Sequence, residues 1–221
     1  MIQVKICGIT NKEDALFAAK CGAAALGFIF YPHSPRYVNP DDVRKIILVL
    51  PDGLVRVGVF VNEKADEIKK VMKYCGLDMI QLHGDESTEY CRDFPADRII
   101  KAVELKNEKD LNHALNYNVS ALLVDSRQDG LYGGTGKKAN WNLACRIKNK
   151  KPLILSGGLN EDNIVQAIKD VGPHALDINS GVESKPGKKD CAKLARICEI
   201  IRSTDTVPDN AQLIFTKRDN L

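Results

Sequence analysis

The chain has 221 residues, enough for one large α/β domain with a core of its own. A formal net charge of +3, with the basic residues dispersed along helix-like stretches, offers no patch for nucleic acid, and no apolar run approaches the ~18 residues of a membrane span. Seven cysteines, at 7, 21, 75, 91, 145, 191 and 198, are odd in number and lack CxxC spacing, which argues against a disulfide framework and for reduced thiols. No basic-then-apolar leader precedes the first strand-like run, so a cytoplasmic location is expected.

Runs rich in Val, Ile, Leu and Phe recur at 2–7, 25–31, 54–62, 79–84, 98–105, 121–127, 153–159 and 175–181. Most are too continuously apolar for half-exposed strands and suit parallel strands covered on both faces. Helical patterns lie between them. Residues 11–22 open with Asn11 as a cap and end in Gly22, and 160–172 open with Asn160 and end in Gly172. Residues 63–76 and 188–203 read as amphipathic helices, and the Lys148-to-Lys151 run as a solvated helix end. Eight β-α units over 1–204, about 25 residues each, predict an α/β fold, a single-domain (β/α)8 TIM barrel. A doubly wound open sheet is the alternative, disfavoured because no GxGxxG follows the first strand. Residues 205–221, polar with one apolar patch, are expected to form a C-terminal tail extension.

In such a barrel, functional groups gather at the C-terminal ends of the strands. Here those ends carry Cys7, Asn62, His83, Glu104, Asp125, Ser156 and Asn179. A thiol at Cys7 and a carboxyl at Asp125 facing one pocket can act as base and acid in moving a proton next to a carbonyl or imine. The competing readings are a small buried core cysteine and an ion-paired or loop-capping aspartate. Lys5 shares a strand face with Cys7, where an ammonium favours the thiolate. His83 reads as a ligand, an acid or a hydrogen-bonding wall. No second His, Cys or carboxylate stands at ligand spacing, so no metal site is expected.

The loop at 31–39 is stiffened by Pro32 and Pro35 and carries Arg36, whose planar fork suits a carboxylate unless it is simply solvated. Gly134 to Lys137 lacks the GxxxxGK[ST] spacing of a nucleotide loop and reads as a lid over the barrel mouth. The last two strand-like runs deliver Gly157 and Gly158, and then Asn179, Ser180 and Gly181. That pair of loops is where backbone N–H groups of such barrels hold a phosphate; taken singly, each is an ordinary tight turn.

Taken in order, KICGIT (5–10), GFIFYPHSPRYV (27–38), VGVFVN (57–62), QLHGDE (81–86), LLVDS (122–126), GGTGK (133–137), LSGGL (155–159) and DINSGVE (177–183), followed by PGKKD (186–190), resemble the phosphoribosylanthranilate isomerase family. The resemblance runs from Val4 to about Arg202; the polar stretch from Ser203 looks like an addition to the family's usual end. It implies an Amadori rearrangement of N-(5-phosphoribosyl)anthranilate to 1-(2-carboxyphenylamino)-1-deoxyribulose 5-phosphate in tryptophan biosynthesis. It assigns Cys7 as general base, Asp125 as general acid, Arg36 to the anthranilate carboxylate, and the loops at Gly157, Gly158, Asn179, Ser180 and Gly181 to the phosphate. His83 is expected at the substrate. The resemblance implies no cofactor, a phosphorylated small molecule as sole partner, and a monomer or homodimer. Two alternatives stay open: the histidine-pathway isomerase, which would want a carboxylate where Cys7 stands, and a catalytically silent barrel that binds sugar phosphates.

Overall fold

The computed structural model describes residues 2–125, 140–204 and 213–217. Each apolar run contains one strand: β1 (Gln3–Ile6), β2 (Ala25–Ile29), β3 (Val55–Phe60), β4 (Met79–Leu82), β5 (Ile99–Val103), β6 (Ala121–Val124), β7 (Leu153–Leu155) and β8 (Ala175–Ile178). They pair in sequence order, all parallel, and β1 pairs with β8 to close the barrel. The open doubly wound sheet is thereby excluded.

Successive strand side chains point to opposite faces, so the apolar runs serve two cores. Val4, Ile6, Leu26, Leu122, Leu176 and Ile178 belong to the outer core between sheet and helices. Ala25, Val55, Val57, Met79, Ile100 and Leu123 belong to the inner core, within the barrel. This double burial is why the strands read as continuously apolar rather than alternating.

The helices are α1 (Lys12–Lys20), α2 (Pro40–Ile47), α3 (Ala65–Cys75), α4 (Glu108–Ala114), α5 (Trp141–Lys148), α6 (Ile164–Val171) and α7 (Cys191–Thr204). Asn11 caps α1, its side-chain oxygen accepting from the Asp14 N–H at 2.9 Å. Three connections differ from the periodicity. Asn160 begins a turn, its carboxamide oxygen accepting from the Asp162 N–H, so α6 starts at Ile164. Between β4 and β5 the described chain makes two short 3-10 turns, Tyr90–Asp93 and Ala96–Arg98, separated by Pro95. Proline removes a backbone donor and restricts the residue before it, so no full helix forms there. Finally, β9 (Glu183–Lys185) and β10 (Lys188–Lys189) form a small antiparallel hairpin, which delays α7 to Cys191.

The apolar patch of the tail docks onto the barrel. Ile214 and Phe215 are buried and join the inner core beside Ala25, Val55, Met79 and Ala175, at the N-terminal ends of the strands. The Gln3 carboxamide clamps this segment. Its oxygen accepts from the Ile214 N–H at 2.7 Å and the Phe215 N–H at 2.9 Å, and its nitrogen donates to the Phe215 carbonyl at 2.7 Å. The tail therefore closes the end of the barrel opposite the strand termini where function is expected.

Replacing Phe215 with Ala removes the largest side chain of this plug. The loss is that of one buried aromatic side chain at the end of the inner core. A loss of about 1–3 kcal/mol in urea unfolding is expected. An unchanged midpoint would show that docking adds nothing to stability.

Candidate functional site

The inner face that is apolar at one end of the barrel becomes polar at the other. The period of two runs from Lys5 in β1 to Cys7 just past its end, and likewise from Gln81 in β4 to His83, Leu123 in β6 to Asp125, Ile154 in β7 to Ser156, and Asp177 in β8 to Asn179. A cleft at the C-terminal mouth gathers most of the residues singled out in the sequence: Cys7, Arg36, His83 and Asp125, with Gly157 and Gly158 from the loop after β7 and Asn179 and Ser180 from the loop after β8. Cys7 is held by its N–H, which donates to the Ile178 carbonyl at 2.9 Å.

Asn62, Glu104 and Gly181 do not line the cleft. Asn62 shapes a turn with φ 51°, its side-chain oxygen accepting from the Asp85 N–H at 2.7 Å. Glu104 pairs with Lys106 at 3.1 Å on the rim. Gly181 serves close packing: a Cβ there would stand 1.9 Å from the Leu159 carbonyl oxygen, so its bareness lets the loop after β8 rest on the loop after β7. Gly157 and Gly158 have φ of 88° and 64°, a bend that L side chains resist. The segment from Ser180 to Val182 makes a single 3-10 turn, not a full helix, so its donors are backbone N–H groups of one turn. The sequence Gly134 to Lys137, read as a lid, lies outside the described residues.

Three groups organise the cleft's charge. Glu183 accepts from Arg36 at Nε (2.9 Å to Oε1) and Nη2 (2.7 Å to Oε2), and from Lys189 Nζ at 3.1 Å. Lys189 also donates to Asn179 Oδ1 at 3.0 Å. Lys5 and Asp177 form a separate buried pair at 2.8 Å. On the far wall, the Gln81 carboxamide nitrogen lies 2.7 Å from His83 Nδ1, and His83 Nε2 lies 3.3 Å from Asp125 Oδ2. An amide donating to Nδ1 leaves the ring proton on Nε2, facing the carboxylate.

Burial opposes ionisation of Glu183, yet the hydrogen bonds and charges of Arg36 and Lys189 outweigh it and hold its carboxyl below the usual range. Burial pulls the Lys189 ammonium down against the attraction of Glu183. Burial also works against the Lys5 ammonium, but Asp177 and Cys7 raise it above the ordinary lysine value. The Cys7 thiol is pushed up by burial, with Lys5 pulling the other way.

Asp177, Glu183 and Lys189 are not among the candidate residues expected from the sequence. Asp177 was within reach, because it stands two residues before Asn179 on the same strand face. The pairing of Arg36 with Glu183 spans 147 residues and has no local signal. Among the described residues, no group of three or more His, Cys, Asp or Glu is arranged to hold a metal ion.

Comparison with known proteins places this geometry in context. The model of the family described as N-(5'-phosphoribosyl)anthranilate (PRA) isomerase matches residues 4–200. The N-(5'-phosphoribosyl)anthranilate isomerase of Syntrophus aciditrophicus is 52% identical over 202 residues, covering 91% of this chain and 88% of that protein. The crystal structure of the Thermotoga maritima phosphoribosyl anthranilate isomerase has a TM-score of 0.85 at 46% identity, covering 92% of this chain and all of that one. Another phosphoribosyl anthranilate isomerase, in complex with reduced 1-(o-carboxyphenylamino)-1-deoxyribulose 5-phosphate, has a TM-score of 0.82 at 44% identity over the same share of this chain and 100% of its own.

Glu183 yields a pH test. A folded-state value below the unfolded one contributes stability that is complete above the unfolded value, ~4.3, and is lost as pH falls through the folded one. Glu183→Gln leaves Arg36 and Lys189 without their anion and should cost about 3–5 kcal/mol at neutral pH. The gap to the unmodified protein, followed by denaturant unfolding, should hold down to about pH 5 and shrink below about pH 4. A gap that stays constant through the acid range would rule out this role for the Glu183 charge.

Proposed function

The chain belongs to the N-(5'-phosphoribosyl)anthranilate isomerase family, isomerases of tryptophan biosynthesis, and from this we propose that Cys7 and Asp125 are its general base and general acid. The observation that carries the reading is their joint position. They directly follow β1 and β6 and open into the cleft that also holds the Gly157-Gly158 and Asn179-Ser180 loops.

In this reading Asp125 gives its proton to the furanose ring oxygen. The C1'–O bond breaks and the anilino nitrogen's lone pair forms the C1'=N bond of a protonated imine. Cys7 as thiolate takes the C2' proton, the C2'–H pair becomes the C1'=C2' bond, and the imine π pair returns to nitrogen. The enolamine then gains a proton at C1' and loses one from the C2' hydroxyl, giving the amino ketose. Protons are conserved, and the imine nitrogen is itself the electron sink, so the chemistry asks for no cofactor. His83, set by Gln81 with Nε2 toward Asp125, orients the carboxyl.

The remaining groups hold the substrate's anionic ends. Backbone N–H groups of Gly157, Gly158 and Ser180 are the proposed phosphate donors, with Gly181 keeping the two loops in contact. Arg36 has its Nε–Nη2 edge taken by Glu183, so the anthranilate carboxylate would meet the Nη1 end. A phosphate anchored away from the reacting carbons lets binding energy act on orientation.

The deciding experiment is turnover of phosphoribosylanthranilate, followed by the loss of its fluorescence. Cys7→Ala and Asp125→Asn should each lower kcat by about 10²–10⁴, with product-analogue affinity changing far less. Activity within a few-fold of the unmodified enzyme in either variant removes that residue from the mechanism. Gly158→Asp should weaken inorganic phosphate and substrate together, by bulk and by like charge. Unchanged phosphate affinity would place the anion elsewhere.

A further inference from the structure

Lys5 is an uncommon residue in the middle of a closed barrel. Its side chain is fully buried, and an ammonium without water must be matched by anions. On one side stands Asp177, its register partner on β8, at 2.8 Å. On the other side is Gly27 of β2. A Cβ there would lie 2.7 Å from Cys7 Sγ and 3.0 Å from Lys5 Nζ, so the thiol and the ammonium converge over a bare Cα. The neighbouring network adds Arg36 and Lys189, which share Glu183. Among the described residues, these ion pairs join three basic side chains (Lys5, Arg36, Lys189) to two carboxylates (Asp177, Glu183), and Lys5 and Lys189 both act on Cys7. The other titratable groups lining the cleft are Tyr31 and His33 in the loop after β2, and His83 and Asp125, which stand together.

We propose that Lys5 is the positioning residue that draws Cys7 toward ionisation inside the barrel, and that Asp177 opposes it, so that the pair sets how much thiolate is present. A thiolate supplies the anion that the cluster lacks, and in a low-dielectric interior that attraction is strong. The relevant influences on Cys7 have opposite signs. Lys5 and Lys189 draw the thiol toward ionisation, while burial and Asp177 push it away. The kinetic part of this inference rests on Cys7 being the base; the ionisation part does not.

Thiolate absorbance near the ultraviolet edge, titrated against the Cys7→Ser protein as blank, isolates Cys7 from the other cysteines. Lys5→Met should move the Cys7 midpoint up by about one pH unit or more, and Asp177→Asn should move it down. The acid limb of kcat/KM should follow in each case. A purely structural role would loosen the barrel and move both variants in the same direction. If Lys5→Met does not fold, with Asp177 left unpaired, the double variant Lys5→Met/Asp177→Asn removes both charges and should still shift the midpoint up. Shifts of the same sign for Lys5→Met and Asp177→Asn, or none, would overturn the inference. Full activity in Cys7→Ser would instead sink the assignment of the base, and the thiol titration would still report on Lys5.

Discussion

Four residues of β1 pair in parallel register with four residues of β8, and this seam closes the barrel. It places residues more than 170 positions apart opposite one another, Lys5 against Asp177 among them. The Cys7 N–H donates to the Ile178 carbonyl at the end of the same seam. Everything polar around Cys7 depends on that register. A slip by one residue would turn Lys5 and Cys7 toward the helices and bring Val4 and Ile6 inside.

Given the seam, the barrel's contents follow a gradient. Small and branched apolar side chains fill its N-terminal half, where Ile214 and Phe215 of the tail complete the packing. The C-terminal half carries Lys5, Gln81, His83, Asp125 and Asp177 instead. Such a set costs folding free energy unless each group is matched, and the matching explains the tight ion pairs of Lys5 with Asp177 and of Arg36 and Lys189 with Glu183. The apolar half and the outer core supply the stability against which this polar half is held.

The same network limits how the cleft can change. Arg36 cannot turn freely toward a ligand while Glu183 holds one edge of its fork. Gly181 cannot gain a side chain without parting the two loops that face the cleft. The shape of this mouth is therefore set by long-range contacts rather than by any single loop.

Much of this was legible in the order of residues. The eight strands, the barrel, the cap at Asn11, the cleft positions of Cys7, Asp125 and His83, and the shared face of Lys5 and Cys7 all come from short-range rules of period, capping and strand ends. Those rules act over a few residues, so they survive without knowledge of the fold. The partners of Arg36 and Lys5, the turn role of Asn62 and the close approach at Gly181 were decided only in three dimensions. An ion pair across 147 residues leaves no mark on local pattern. Burial of apolar surface has no direction, so nothing local in the tail's apolar patch marked Gln3 as the residue that holds it against the end of the barrel.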